Sequence, residues 1–341
     1  MTLHDEILAQ PDAVARLLER EGPALDAIAT HVRELDPDFI VIAARGSSDH
    51  AALYAQYLFS IRLGLPVALA TPSAITLYGA SPRLRRALVL GISQSGRSPD
   101  IVAVLRSAAA AGALTVAVTN DTTSPLADAA AHVVGLGVEE RAVAATLTYT
   151  TQLAALARLA VALDDGDGMS ELAAVPDRMA EALLAEDQAA SIATECADAD
   201  RGVAIGRGFE YATAREWALK IQELGHVLVH AFSAADFEHG PIALVEPGRP
   251  VLAVEPRGPG HDERLELLSR VHDLGARLVV ASDDPAAVAI DRGLPLPTGT
   301  PGWLQPLSSV IPCQLFAMHL ARARGLDPDR PRTISKVTLT T

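Results

Sequence analysis

The sequence predicts an α/β protein made of two tandem, doubly wound parallel sheets, with helices before the first and an extended tail after the second. Three observations carry this. Short apolar runs alternate with Ala- and Leu-rich helical runs through both halves of the 341 residues. The run at 87–92, Ala-Leu-Val-Leu-Gly-Ile, is continuously apolar, as a strand buried on both faces requires. A strand, a polar glycine turn and a helix recur in the same order at Arg45-Gly46 and at Arg207-Gly208.

Residues 1–35 read as helices. Ile7, Leu8, Val14, Leu17 and Leu18 make one apolar face, and Leu25, Ile28, Val32 and Leu35 continue it on a second helix after Gly22-Pro23. Residues 36–165 form the first domain. Strands are expected at 39–44, 66–70, 87–92, 113–119 and 132–136, with helices from about 49 to 62 and from 100 to 111, Pro99 standing at a first helical position. Small residues at 143–146 lead into a helix ending near Leu163, and read as a loop able to close over a ligand. Asp164-Asp-Gly-Asp-Gly168 reads as the domain linker, and 166–198 as linker helices. Residues 199–325 repeat the first domain, with strands near 202–206, 251–255 and 277–281 and a helix over 262–274. Residues 326–341 are proline-punctuated and extended, with Lys336 near the end. That tail reads either as a frayed terminus or as a segment folding over a site to deliver an amine.

A net charge of -14 argues against nucleic acid or an anionic membrane as a general partner. No apolar run reaches membrane-spanning length, and the acidic start carries no signal-peptide pattern, so a cytoplasmic protein is expected. Cys196 and Cys313 are isolated, with neither metal-ligand nor disulfide spacing, and no metal is expected.

The chemistry-bearing stretch of the first half is Ser93-Gln94-Ser95-Gly96-Arg97-Ser98, at the carboxyl end of a strand and the start of a helix. Ligands of open α/β sheets bind at that end, where free helix N–H groups favour an anion. Three hydroxyls and no carboxylate between Ser93 and Pro99 suit a phosphate monoester, the plainer alternative being a serine-capped polar turn. The pattern is neither a P-loop nor Gly-x-Gly-x-x-Gly, which disfavours a nucleotide. The matching turn of the second half, Glu255-Pro-Arg-Gly-Pro-Gly260, has no serine, so one anion site per pair of domains is expected. In the second half Glu216, Lys220 and Glu223 lie on one helix face, either as a solvated salt-bridge ladder or as a functional cluster. His239, before Gly-Pro, is either structural or, beside Glu223, one of a titratable pair.

With these motifs in order, the chain resembles the sugar isomerase (SIS) domain proteins, and more closely the isomerase half of glucosamine-6-phosphate synthase and its stand-alone deaminase and deglycase relatives. The shared motifs are Arg-Gly-Ser-Ser (45–48), Ser-Gln-Ser-Gly (93–96), Val-Ala-Ala-Thr (143–146), Glu-x-Ala-Leu-Lys-x-x-Glu (216–223), His-Gly-Pro (239–241) and Pro-Arg-x-x-x-Lys (331–336). The resemblance implies tandem flavodoxin-like SIS domains. It implies a sugar-phosphate site from Gly46, Ser47, Ser48, Ser93, Gln94, Ser95 and Ser98, with Ala144 and Ala145 in the adjacent loop. By the same resemblance Glu223 moves a proton between sugar C1 and C2, and His239 opens the ring from the neighbouring subunit of a homodimer with composite sites. Lys220 supplies a cation near the enediol oxygen, and Lys336 forms an imine with the open-chain ketose. No cofactor is implied. The expected reaction is conversion of glucosamine 6-phosphate to fructose 6-phosphate and ammonia. The alternatives are deglycation of a fructosamine 6-phosphate and a non-catalytic phosphosugar sensor. Three departures stand out. Leu147 replaces a family lysine, and Leu228-Val229-His230 replaces His-Ala-Glu. No glutaminase with its nucleophilic cysteine precedes the first sheet, so glutamine-dependent synthesis is not expected of this chain alone.

Overall fold

The computed structural model describes residues 1–336. Five strands, β1 (Phe39–Ala43), β2 (Val67–Leu69), β3 (Ala87–Ser93), β4 (Leu114–Thr119) and β5 (His132–Gly135), form a parallel sheet in the order β2-β1-β3-β4-β5. A second parallel sheet holds β6 (Arg201–Gly206), β7 (Leu228–Ser233), β8 (Pro250–Val254), β9 (Arg277–Ser282) and β10 (Arg292–Pro295), in the order β10-β9-β8-β6-β7. Pairing β1 with β6 and continuing in sequence makes the two orders identical. The repeat seen at 45–46 and 207–208 is therefore a repeat of the whole sheet.

Every residue of β3 is buried, as its continuous apolar run requires. Gly91 lies in register between Ala43 and Ala117. A Cβ there would stand 2.5 Å from Leu105 Cδ1, so this row of small residues lets helix Pro99–Ala110 press onto the strand. That close seat fixes the helix start beyond Ser93.

The structure departs from the sequence reading in three places. Residues 10–35 form one helix, Gln10–Leu35, running through Gly22-Pro23, and the break falls at Ala9 instead. Pro23 and Glu19 are both exposed, so water can satisfy the Glu19 carbonyl that loses its partner to the proline. Gly22 is buried, and its carbonyl accepts a 3.4 Å bond from Arg158 Nη2. The second and third departures are β7 and β10, which the hydrophobic pattern does not announce. The edge strand β7 exposes Leu228 and His230 and buries Val229 between them, while β10 is only four residues with glycine and proline.

The chain divides into two compact units. One comprises Asp12–Glu140, Leu147–Ala173 and, from the tail, Ser335 and Lys336; it holds the first sheet. The other comprises Met1–Pro11, Arg141–Thr146 and Ala174–Ile334, and holds the second sheet. The turn at 164–168 stays with the first unit, and the change comes between Ala173 and Ala174.

In the second unit, Glu210 opens helix Glu210–Lys220 and is buried, its Oε2 accepting a 2.8 Å bond from Ser309 Oγ. Burial pushes its carboxyl up to about 7. The folded chain then holds a proton that the unfolded chain gives up, so stability falls as pH rises from about 4.5 to about 7. Glu210→Gln is expected to remove this dependence. Denaturant titrations should show the variant gaining on the parent by up to about 3 kcal/mol between about pH 5 and about pH 8. A difference independent of pH would mean that Glu210 stays ionised when folded.

Candidate active site

The first constellation lies in the first unit, at the carboxyl end of β3. Ser93 is buried, and its Oγ accepts a 3.2 Å bond from the Gly96 N–H. Ser95 Oγ accepts one of 3.3 Å from the Arg97 N–H. Gly96 has φ +63, and a Cβ there would overlap Ser124, so the turn requires glycine. Ser98 is the N-cap of helix Pro99–Ala110, yet its hydroxyl makes no capping bond. A simple serine-capped turn would use that hydroxyl as the cap.

Asp100, the first carboxylate after the turn, would oppose an anion. It is buried, its Oδ2 takes two 2.9 Å contacts from the Arg45 guanidinium, and its Oδ1 accepts a bond from the Ile101 N–H. The pair cancels in charge and leaves the positive helix end uncompensated. Gly46 is the N-cap of helix Ser47–Leu63 at φ +57, and Ser48, in that helix's first turn, accepts a 3.0 Å bond from Gln152 Nε2. Ser47, Gln94, Ser95 and Ser98 are half-buried.

The second constellation lies in the second unit. Lys220 ends helix Glu210–Lys220 with its side chain 1% exposed; Nζ lies 3.4 Å from Glu216 Oε1 and 2.5 Å from Glu223 Oε2. Glu216 is fully buried and Glu223 is 23% exposed, so the solvated ladder is ruled out. Burial works against the ammonium, but the Glu216 and Glu223 carboxylates overcome it and raise Lys220 to about 12. Lys220 is a fixed cation at any working pH. Glu223 sits in a π turn, Ile221–Gly225, that follows the helix and closes on His226 in the left-handed region. Such widened turns concentrate at functional sites. This one carries the triad's only partly exposed carboxylate. Behind the cluster Trp217 meets Phe316 edge-on, with ring centroids 5.4 Å apart.

Three further sequence-predicted groups are placed as follows. His239 is exposed at the end of helix Ala234–Glu238. Ala144 is buried and Ala145 half-buried in the loop 141–146, whose Arg141 and Ala142 N–H groups both donate to the buried Glu6 carboxylate. Lys336 Nζ bonds Glu140 Oε2 at 2.6 Å in the first unit. Sequence reasoning missed the parts played by Glu140 and by the Arg45–Asp100 pair. The Glu139-Glu140 dipeptide just before the small-residue loop was the one available signal.

Both cysteines are buried; burial pushes Cys196 up to about 11 and Cys313 well above the ordinary thiol range, so neither thiol is a nucleophile. Among the described residues no group of three His, Cys, Asp or Glu could hold a metal ion, and no helix is long and apolar enough to cross a membrane.

The sequence matches the SIS domain model over residues 36–162 and 195–324. Glutamine–fructose-6-phosphate aminotransferase (isomerizing) of Methanothermobacter thermautotrophicus is 35% identical over 335 residues, which are 97% of this chain and 56% of that protein. The chain thus spans about half the length of the curated relatives it matches. A solved structure described as a phosphosugar isomerase, from Silicibacter pomeroyi, is similar with a TM-score of 0.88 at 34% identity, covering 96% of this chain and 100% of that one. The C-terminal domain of glucosamine-fructose-6-phosphate aminotransferase from Francisella tularensis gives 0.87 at 28% identity, covering 96% and 98%.

Proposed function

This chain belongs to the SIS domain family, and on that premise we propose that it interconverts an aldose and a ketose phosphosugar, turning glucosamine 6-phosphate into fructose 6-phosphate and ammonia. The observation that carries the reading is the Lys220 triad: a permanently charged ammonium beside one partly exposed carboxylate, Glu223. That is the pairing a proton shuttle next to a developing enediol oxyanion needs.

In this reading the phosphate sits on the Ser93–Ser98 turn, with Gly46, Ser47 and Ser48 beside it and Ala144 and Ala145 against the sugar. His239, supplied by the partner subunit of a homodimer, opens the ring. Glu223 takes the proton from C2 and returns it to C1, converting the amino aldehyde to a C2 imine. Lys336 attacks C2, ammonia leaves, and water releases the ketose from the lysine imine. The sum is glucosamine 6-phosphate plus water giving fructose 6-phosphate plus ammonia.

The test is ammonia release from a panel of hexosamine and fructosamine 6-phosphates, run beside proton exchange in deuterated water. Glucosamine 6-phosphate should give both signals. Ser95→Ala removes one charge-assisted bond to the phosphate, worth about 1.5–3 kcal/mol, and should weaken fructose 6-phosphate binding by roughly tenfold or more. Tight binding with neither ammonia nor exchange would replace the enzyme with a sensor. Unchanged affinity in Ser95→Ala would remove the turn from the site.

A further inference from the structure

The chain carries 28 lysines and arginines, of which only Lys220 and Lys336 are lysines. Arginine stays protonated and does not attack carbonyl carbon. Lys220 is held charged between two carboxylates with its side chain 1% exposed. Lys336 is the one lysine with access, its side chain 24% exposed. What it touches therefore bears on any amine chemistry of this protein.

The Lys336 ammonium rests on Glu140, whose side chain is fully buried. Glu140 is itself fixed at the start of helix Leu147–Leu163: Oε1 accepts the Thr148 N–H at 3.0 Å, and Oε2 accepts Thr148 Oγ1 at 2.8 Å. Thr148 lies in that helix's first turn, where the dipole favours a carboxylate. One buried anion thus does two things. It closes the chain on itself around the 141–147 segment, and it presents a rigid partner to an amine 196 residues away in sequence. The amine comes from a proline-punctuated tail, with Pro328 and Pro331 before it, that contributes no helix or strand between Leu326 and Lys336. Without a partner, an amine on such a segment would sample many positions.

We infer that Glu140 is a positioning residue for Lys336, docking its ammonium at one point so that the amine is in place when an open-chain ketose arrives. This rests on the reading of Lys336 as the imine-forming group. To react, Nζ leaves the carboxylate and gives one proton to water, and its lone pair forms a bond to the carbonyl carbon as the C=O π pair moves to oxygen. The two remaining Nζ protons pass to that oxygen, which departs as water and leaves the C=N bond.

The small number of lysines makes the test clean. Glu140→Gln keeps an oxygen to accept the Thr148 N–H but removes the charge under Lys336, while Glu140→Asp keeps the charge and shortens the reach. Reductive methylation of the ligand-free chain, read by peptide mass, is expected to label Lys336 about tenfold faster in Glu140→Gln than in the parent, the scale of a lost charge-assisted contact. Borohydride trapping with saturating fructose 6-phosphate is expected to slow by roughly 10- to 100-fold, the scale of a misplaced reacting group, with fructose 6-phosphate affinity unchanged and Glu140→Asp recovering part of the rate. Equal methylation rates would show that Glu140 does not dock the amine, and unslowed trapping would show that docking does not position it; either overturns the inference. A parent chain that traps no sugar would sink the imine reading and the positioning role together. The methylation arm would still decide the docking, so the two failures stay distinguishable.

Discussion

Glu223→Gln is expected to cut C1/C2 proton exchange on a hexose 6-phosphate by about 10²–10⁴-fold, the usual contribution of a positioned acid–base group. The substitution preserves shape and can still accept a hydrogen bond from Lys220, but an amide takes up no proton. Structural damage should be small, because Glu216 remains 3.4 Å from the ammonium and Glu223 is the exposed member of the triad. The measurement is loss of the C2 proton signal in deuterated water, with phosphosugar affinity as the control. Affinity should stay within about threefold, since the proposed reading puts the phosphate on the Ser93–Ser98 turn and not on Glu223. An exchange rate lowered by less than about threefold would move the proton transfer to another group.

Lys220→Met should have the other large effect, on the fold as well as on the reaction. The clamp places an ammonium against two carboxylates, one of them with no solvent contact. Removing the cation takes the ammonium away from the buried Glu216 carboxylate, and breaking such buried pairs costs about 3–5 kcal/mol. Denaturant titration of Lys220→Met should show a loss of that order, together with loss of exchange. The double variant Lys220→Met with Glu216→Gln separates the two roles. Neutralising Glu216 should restore much of the stability, while exchange should stay absent, as the proposed role of Lys220 at the enediol oxygen requires. A double variant that regains activity would reduce Lys220 to a structural counter-ion. A single variant as stable as the parent would mean that the Glu216 carboxylate does not depend on the Lys220 ammonium.

The sheets were legible in the sequence because strand, turn and helix signals are local. The apolar run at 87–92 reads as a doubly buried strand, and so it is; Gly96 marks the turn that needs a positive φ. Where no local signal existed, nothing could be read: β10 is a four-residue Arg-Gly-Leu-Pro, and β7 is an edge strand alternating exposed and buried positions.

The sequence by itself determined the repeated α/β order, the glycine turns and the list of chemically able side chains, since each depends on neighbours a few residues apart. Tertiary structure alone decided which of those side chains are buried and what they pair with. The spacing of Glu216, Lys220 and Glu223 is the same for a solvated ladder and for a buried clamp, and only the lack of solvent around Glu216 chooses the clamp. Gly22-Pro23 is a local stop signal, overridden at a point where Glu19, whose carbonyl loses its partner, is exposed. The Glu139-Glu140 dipeptide marks Glu140 only faintly, and its pairing with Lys336 cannot be read locally, because that partner stands 196 residues along the chain. Burial and long-range pairing depend on everything packed around a residue, whereas sequence spacing reports only its nearest neighbours along the chain.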